Sequence, residues 1–164
     1  MPGIDECLLT AMTLPGARGA AIVDWTSGLS LGSVGDSPNG DHEATAAETA
    51  EVARAAAEYQ AFAPLSDEPG GADTAGVTGA VRVTDAADGS GREGRAARAA
   101  RAGRAELPVE DLMLTTRTGF HLIRFVETTF DSSVFLYLWL DRHTGNLALA
   151  RMRLRDLSVR LVLV

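Results

Sequence analysis

Val134-Phe135-Leu136-Tyr137-Leu138-Trp139-Leu140 is the most hydrophobic run of the chain, and no charged residue interrupts it. In a strand, successive side chains point to opposite faces. One face would carry Val134, Leu136, Leu138 and Leu140, the other Phe135, Tyr137 and Trp139. A strand that is apolar on both faces has to be covered on both, so it belongs in the middle of a sheet with helices above and below. The run is short for a buried helix and rich in aromatic bulk, which favours a strand.

Outward from this run, the flanking sequence supplies neighbours and covers. Phe120 to Glu127 and Val109 to Thr116 read as strands joined by a turn at Thr118-Gly119. In the latter, Val109, Asp111, Met113 and Thr115 share one face and Leu112 and Leu114 the other. After the central run, Asp141 to Gly145 is a loop, and Thr144 or Asn146 can cap a final helix. That helix aligns Leu147, Ala150, Leu154, Leu157 and Leu161, although Met152 to Leu154 also alternates as a strand would. At the other end of the chain, Ile4, Cys7, Leu8, Ala11 and Leu14 fall at helical spacing before Pro15-Gly16. Gly19 to Trp25, the turn Thr26-Ser27-Gly28 and Leu29 to Val34 make a hairpin, whose small residues suit close packing under a helix.

Asp41 can cap a long helix reaching about Ala63. Val52, Ala55, Tyr59 and Phe62 form one stripe, suited to covering the sheet. Ala46, Ala50, Ala53, Ala57 and Ala61, with Arg54 beside them, lie nearly opposite. An outward alanine stripe lets a second helix approach closely, and it also suits a solvated helix, since alanine is the best helix former. From Leu65 to Leu107 large apolar residues almost vanish. The first half is acidic, and the second carries Arg92, Arg95, Arg98, Arg101 and Arg104. Such a stretch cannot offset its ordering entropy, so residues 1–164 read as one domain interrupted by a disordered or partly helical insertion at about 65–107.

Composition excludes several chemistries. The formal net charge is -7, which argues against nucleic acid as the main partner. All 15 basic residues are arginine. Without lysine there is no phosphate-binding P-loop and no Schiff base. Cys7 is the sole cysteine and reads as a buried free thiol, leaving neither an internal disulfide nor a cysteine zinc site. His42, His121 and His143 lack metal-ligand spacing, and His121 sits with Ile123 and Phe125 on a strand face. Two motifs are decoys. Gly28-Leu29-Ser30-Leu31-Gly32 matches G-x-S-x-G, but Ser30 lies in a return strand with no helix directly after it. Gly89 to Gly94 matches G-x-G-x-x-G in glycine-rich sequence lacking a good strand before it or an apolar helix after it. The expected sets of catalytic, cofactor-binding and metal residues are therefore empty. No run approaches membrane-spanning length, and the start lacks a signal peptide, which points to the cytoplasm.

With these residues in place, the chain resembles the roadblock family, the dynein-light-chain-like regulators of small GTPases, and in particular its actinobacterial members. The likeness is carried by Gly19 to Gly32, by Phe120-His121-Leu122-Ile123-Arg124, and by Leu136 to Leu154 with its Leu140-Asp141-Arg142 and Asn146 to Arg151. It implies an α+β, roadblock/profilin-like fold: a five-stranded antiparallel sheet in the order 2-1-5-4-3, covered by helices on both faces. It implies a homodimer formed by second helices and third strands. That makes Ala46, Ala50, Ala53, Arg54, Ala57, Ala61, Leu112 and Leu114 interface candidates, although the insertion emerges beside them. It implies a non-enzymatic adaptor for a small Ras-like GTPase. A small-molecule sensor of similar layered fold is the alternative, and a cavity beside Trp25 or Trp139 would favour it.

Overall fold

A computed structural model describes residues 2–63, 107–127 and 133–162. Segment 64–106, with the arginine ladder and the Gly89 motif, lies outside the described residues, as does the lead into the central strand at 128–132. The elements are α1 (Pro2–Met12), β1 (Ala17–Asp24), β2 (Leu29–Gly35), α2 (His42–Glu58) with a 3-10 turn Gln60–Phe62, β3 (Asp111–Thr115), β4 (Gly119–Val126), β5 (Val134–Asp141) and α3 (Leu147–Val162).

The strands form one antiparallel sheet in the order β2-β1-β5-β4-β3. The opening run is its spine: Leu138 pairs with Ala20 on one side and Leu122 on the other, and Phe135 to Leu140 are all buried. On one face Leu136, Leu138 and Leu140 join Ile22 and Leu122 under α1 and α3, which contribute Leu8, Ala11, Leu154 and Leu157. On the other face Phe135, Tyr137 and Trp139 join Val23, Ile123 and Phe125 under α2. Both terminal helices turn the predicted stripes inward, and Cys7 is buried and free.

Local chemistry sets the boundaries. The Asp41 carboxylate accepts from the N–H groups of Glu43 (2.9 Å) and Ala44 (3.2 Å), two donors otherwise orphaned at the start of α2. Of the two candidate caps for α3, Asn146 is the one used, accepting from Leu149 N–H at 3.0 Å. Thr144 instead joins a turn around the Asp141 carboxylate. Gly16 has φ +76°, and a Cβ there would stand 2.5 Å from the nitrogen of Gly145, so the loops before β1 and after β5 cross where no side chain fits.

Two sequence expectations need correction. The helix α2 stops at Glu58, short of the expected Ala63, and is rolled about its axis. Ala46, Ala50 and Ala53 face the sheet with at most 1% exposure, whereas Val52 is 48% exposed, and Tyr59 and Phe62, just past the helix end, are 62% and 51% exposed. The cause is volume. The sheet beneath already carries Phe135, Tyr137 and Phe125, so close packing needs small residues opposite. The β1–β2 turn reinforces this, since a Cβ on Gly28 would lie 3.6 Å from Ala47 Cα. The second correction concerns the start of β3. The chain becomes strand only at Asp111, and Val109 packs with Leu107 and Leu112 on the α2 face rather than aligning with Asp111. Leu107, the expected last residue of the insertion, thus belongs to the core.

A candidate interaction surface at the β3 edge

Among the described residues, the sheet ends at β2 on one side and β3 on the other. In β3 the ladder to β4 is regular, from Asp111 opposite Arg124 to Thr115 opposite Phe120. Asp111 anchors it to α3. Its side chain is 13% exposed, and Arg151 Nε donates to it at 2.8 Å. Arg124 Nη1 stands 3.5 Å from Asp111 and also from Glu110. Two guanidinium groups share one partly buried carboxylate, and the hydrogen bond and charge of Asp111 raise the Arg151 pKa. The buried Nε of Arg124 has no partner among the described residues.

The interface candidates scatter. Ala46, Ala50 and Ala53 are core, covered by the chain's own sheet. Ala57 is partly buried against the same cluster, and Ala61 is exposed. Arg54 reaches back inside the protomer: Nη2 donates to the carbonyl of Trp25 at 2.8 Å, and Nη1 pairs with Glu51 at 2.7 Å. Leu112 is half-buried beside Ile123, whereas Leu114 is 55% exposed. Met113, on the opposite face, is 45% exposed. Exposed apolar side chains near these candidates are Leu114 and Met113 on the two faces of β3, Val52 on α2, and Tyr59 and Phe62 just past the end of α2. Sequence reading missed the last three as surface residues, because large apolar side chains on an amphipathic helix ordinarily mark its buried stripe.

One cross-strand row borders Leu114 on the α2 face. His121 lies opposite Leu114 on one side and Trp139 on the other. His121 Nδ1 is 2.8 Å from the Tyr137 hydroxyl, and its ring stacks on Trp139 at 6.3 Å and 10°. The Arg18 guanidinium sits 4.1 Å from the centre of the Trp139 ring. Burial lowers the His121 pKa and raises that of Tyr137. Trp139 is thus flanked by the His121 ring and the Arg18 guanidinium.

The hydrolase motif does not assemble. Ser30 lies within β2, its hydroxyl donates to the Gly32 carbonyl at 3.3 Å, and α2 begins only at His42. A cleft of about 270 Å³ lies between α1 and α3, lined by Glu6, Cys7, Leu157, Arg160 and Leu161. Burial pushes the Cys7 thiol up to about 11, against a smaller lowering by Arg160, so it is a poor nucleophile at neutral pH. Among the described residues, no group of three or more His, Cys, Asp or Glu is placed to hold a metal ion, and no helix is long and apolar enough to cross a membrane.

No family pattern and no curated protein matches the sequence. Solved structures do match in fold. MglB of Myxococcus xanthus superimposes with a TM-score of 0.60 at 17% identity, covering 98% of this chain and 86% of that one. The gliding protein MglB from Thermus thermophilus gives 0.60 at 15%, over 98% and 87%. An MglB with tetrameric arrangement gives 0.58 at 13%, over 97% and 85%. Likeness at such identity speaks for the fold alone. The sheet order 2-1-5-4-3 with helices on both faces is the one implied by Gly19 to Gly32 and Leu136 to Leu154, and it is shared with these structures: the chain has the fold of the roadblock family.

Proposed function

We propose that the chain is a non-enzymatic homodimeric adaptor that binds a small Ras-like GTPase. The observation that carries the reading is the β3 edge. Its five pairs to β4 are regular, no other strand among the described residues pairs with its outer side, and it carries exposed apolar side chains on its two faces, Leu114 and Met113. Such an edge invites another strand and is a hazard if left open. Val52 on α2, with Tyr59 and Phe62 just past its end, adds further exposed apolar side chains. The roll of α2 moves the helical contact from Ala46, Ala50 and Ala53 to these three residues, with Ala57 and Ala61 at the margin. Arg54, Leu112 and Leu114 keep their places in the proposed interface. GTPase binding enters from the family resemblance, and the fold shared with MglB supports it. The segment 65–107 is, in this reading, an insertion into a single domain.

Light scattering on the full chain should give the mass of a dimer, and a monomer at micromolar concentration would overturn the assembly. Size-exclusion chromatography with the Ras-like GTPase of the same genome, loaded with GDP or with a non-hydrolysable GTP analogue, should show co-elution in at least one state. Absence of a complex in both would remove the adaptor reading. The alternative of a ligand sensor has the α1–α3 cleft in its favour, although that cleft is not beside either tryptophan. A ligand-dependent rise in melting temperature that Leu157→Trp abolishes would revive it.

A further inference from the structure

We propose that the cleft between α1 and α3 binds a small zwitterion with an apolar body, of the kind an apolar amino acid presents, with its carboxylate on Arg160 and its ammonium on Glu6. The cleft belongs to the layer opposite α2, so the site stands apart from the surface proposed for a GTPase or a second copy. Each helix gives it one face. Glu6, Cys7 and Thr10 lie together on α1, and Leu157, Arg160 and Leu161 lie together on α3. The apolar members are the most buried. Cys7 is 5% and Leu157 is 4% exposed, and Leu161 is partly buried. Glu6 and Arg160 are exposed at the rim, on the two facing helices.

The rim charges select the ligand. Among the described residues neither Glu6 nor Arg160 has an ion-pair partner, and this holds for each other and for Asp156, one turn before Arg160. Arg160 nonetheless acts on the cleft, because its charge lowers the Cys7 thiol against the larger upward push of burial. The Thr10 hydroxyl donates to the Glu6 carbonyl at 2.8 Å, and its oxygen remains able to accept from an ammonium. A carboxylate alone would meet Arg160 but bring a second anion beside Glu6. An amine alone would bring a second cation beside Arg160. A neutral apolar molecule would use neither charge. A molecule with both charges at one end and apolar bulk at the other uses the rim and the floor together. Size agrees. The cleft holds about 270 Å³, below the roughly 300–1,000 Å³ of sites for drug-sized ligands, which suits an amino acid rather than a longer molecule.

Isothermal titration calorimetry on the full chain tests this with L-leucine and L-phenylalanine as probes. A Kd on the order of 0.1–1 mM is expected, weak because the rim is exposed. Octanoate and hexylamine, each with one of the two charges, should bind at least about threefold more weakly. Arg160→Gln and Glu6→Gln should each weaken leucine binding by about threefold. Both residues are exposed, so the melting temperature of the ligand-free variants should stay at the wild-type value. Leu161→Trp, filling the cleft from a partly buried position, should abolish binding. Octanoate binding as tightly as leucine would overturn the zwitterion. Leucine binding that none of the three substitutions moves would overturn the location, and heat from none of the four probes would overturn the site itself. None of these results touches the adaptor reading, whose own tests are light scattering and co-elution.

Discussion

The two edges of the sheet face the same hazard and meet it differently. At β2 the ladder to β1 slips between Ile22 and Val23, so that Leu31 becomes an extra residue in a bulge, a device that bends an edge away from further pairing. Its two flanks are occupied. A Cβ on Gly32 would stand 2.9 Å from Ile4 of α1, and the turn leading into β2 rests on Ala47 of α2. At β3 the five pairs to β4 run without a slip. Exposed leucine does not separate the edges, since Leu29 and Leu31 are 58% and 49% exposed and Leu114 is 55% exposed. Backbone regularity does. One edge carries a bulge and the other does not, which is why β3 is the edge we propose for a partner.

The most demanding test of this contrast is to charge one leucine on each edge. Leu114→Arg should weaken the dimer by about a hundredfold or more, because a guanidinium would be desolvated in the proposed strand contact with no carboxylate to meet it. Leu31→Arg should leave the association constant unchanged in sedimentation equilibrium. Equal effects, or a larger one at Leu31, would exchange the roles of the two edges.

Next in size is the anchor that holds β3 to α3. Asp111→Asn leaves Arg124 and Arg151 facing a neutral amide. Arg151 is exposed, so its pairing alone contributes little, and the expected fall in the urea midpoint comes mainly from leaving the less exposed Arg124 without its carboxylate. An unchanged midpoint would mean that the strand is held by its ladder alone. Dimer affinity should fall with it, since a frayed β3 presents no straight edge.

The roll of α2 gives a third test. Ala53→Leu should destabilise the protomer by about 1–3 kcal/mol through overpacking against Val23 and Phe135. Val52→Ala, at an exposed position, should change stability by less than about 0.5 kcal/mol. The sequence pattern predicts the reverse order, so the pair of melting temperatures separates the two orientations of the helix.

What the sequence could and could not say follows a physical division. β5 was readable because burial on both faces writes itself into every residue from Val134 to Leu140. The terminal helices were readable because their large apolar residues recur at helical spacing. The orientation of α2 was not, because alanine carries little hydropathic signal. What turns its alanines inward is the bulk of Phe135 and Tyr137, far along the chain and on another element. A clue was available: a strand face made only of aromatic residues requires small residues above it. The Asp111–Arg151 anchor was hidden for a related reason, since it joins residues forty positions apart, and periodicity could show only that Arg151 lies off the buried stripe. The β3 edge was legible as a strand, but what separates it from β2 is a slip in register, which no side-chain pattern encodes.

The smallest expected effect is the most local to the edge. His121 is half-buried between Leu114 and Trp139, with Nδ1 against the Tyr137 hydroxyl, and burial lowers its folded pKa below 6.5. The groups facing it are Tyr137, which stays neutral in this range, and the Arg18 guanidinium across Trp139, whose charge opposes a second cation. A lowered folded pKa means that the unfolded chain binds the proton more readily. The contribution of His121 is therefore complete above pH 6.5 and is lost as pH falls through 6.5 toward the folded value. A second copy packed over Leu114 would desolvate the ring further, so association should weaken over the same window. His121→Gln should flatten the pH dependence of both stability and dimer affinity between about pH 7.5 and 5.5. If it flattens stability alone, the ring lies outside the interface, and the α2 face of β3 extends no further than Leu114.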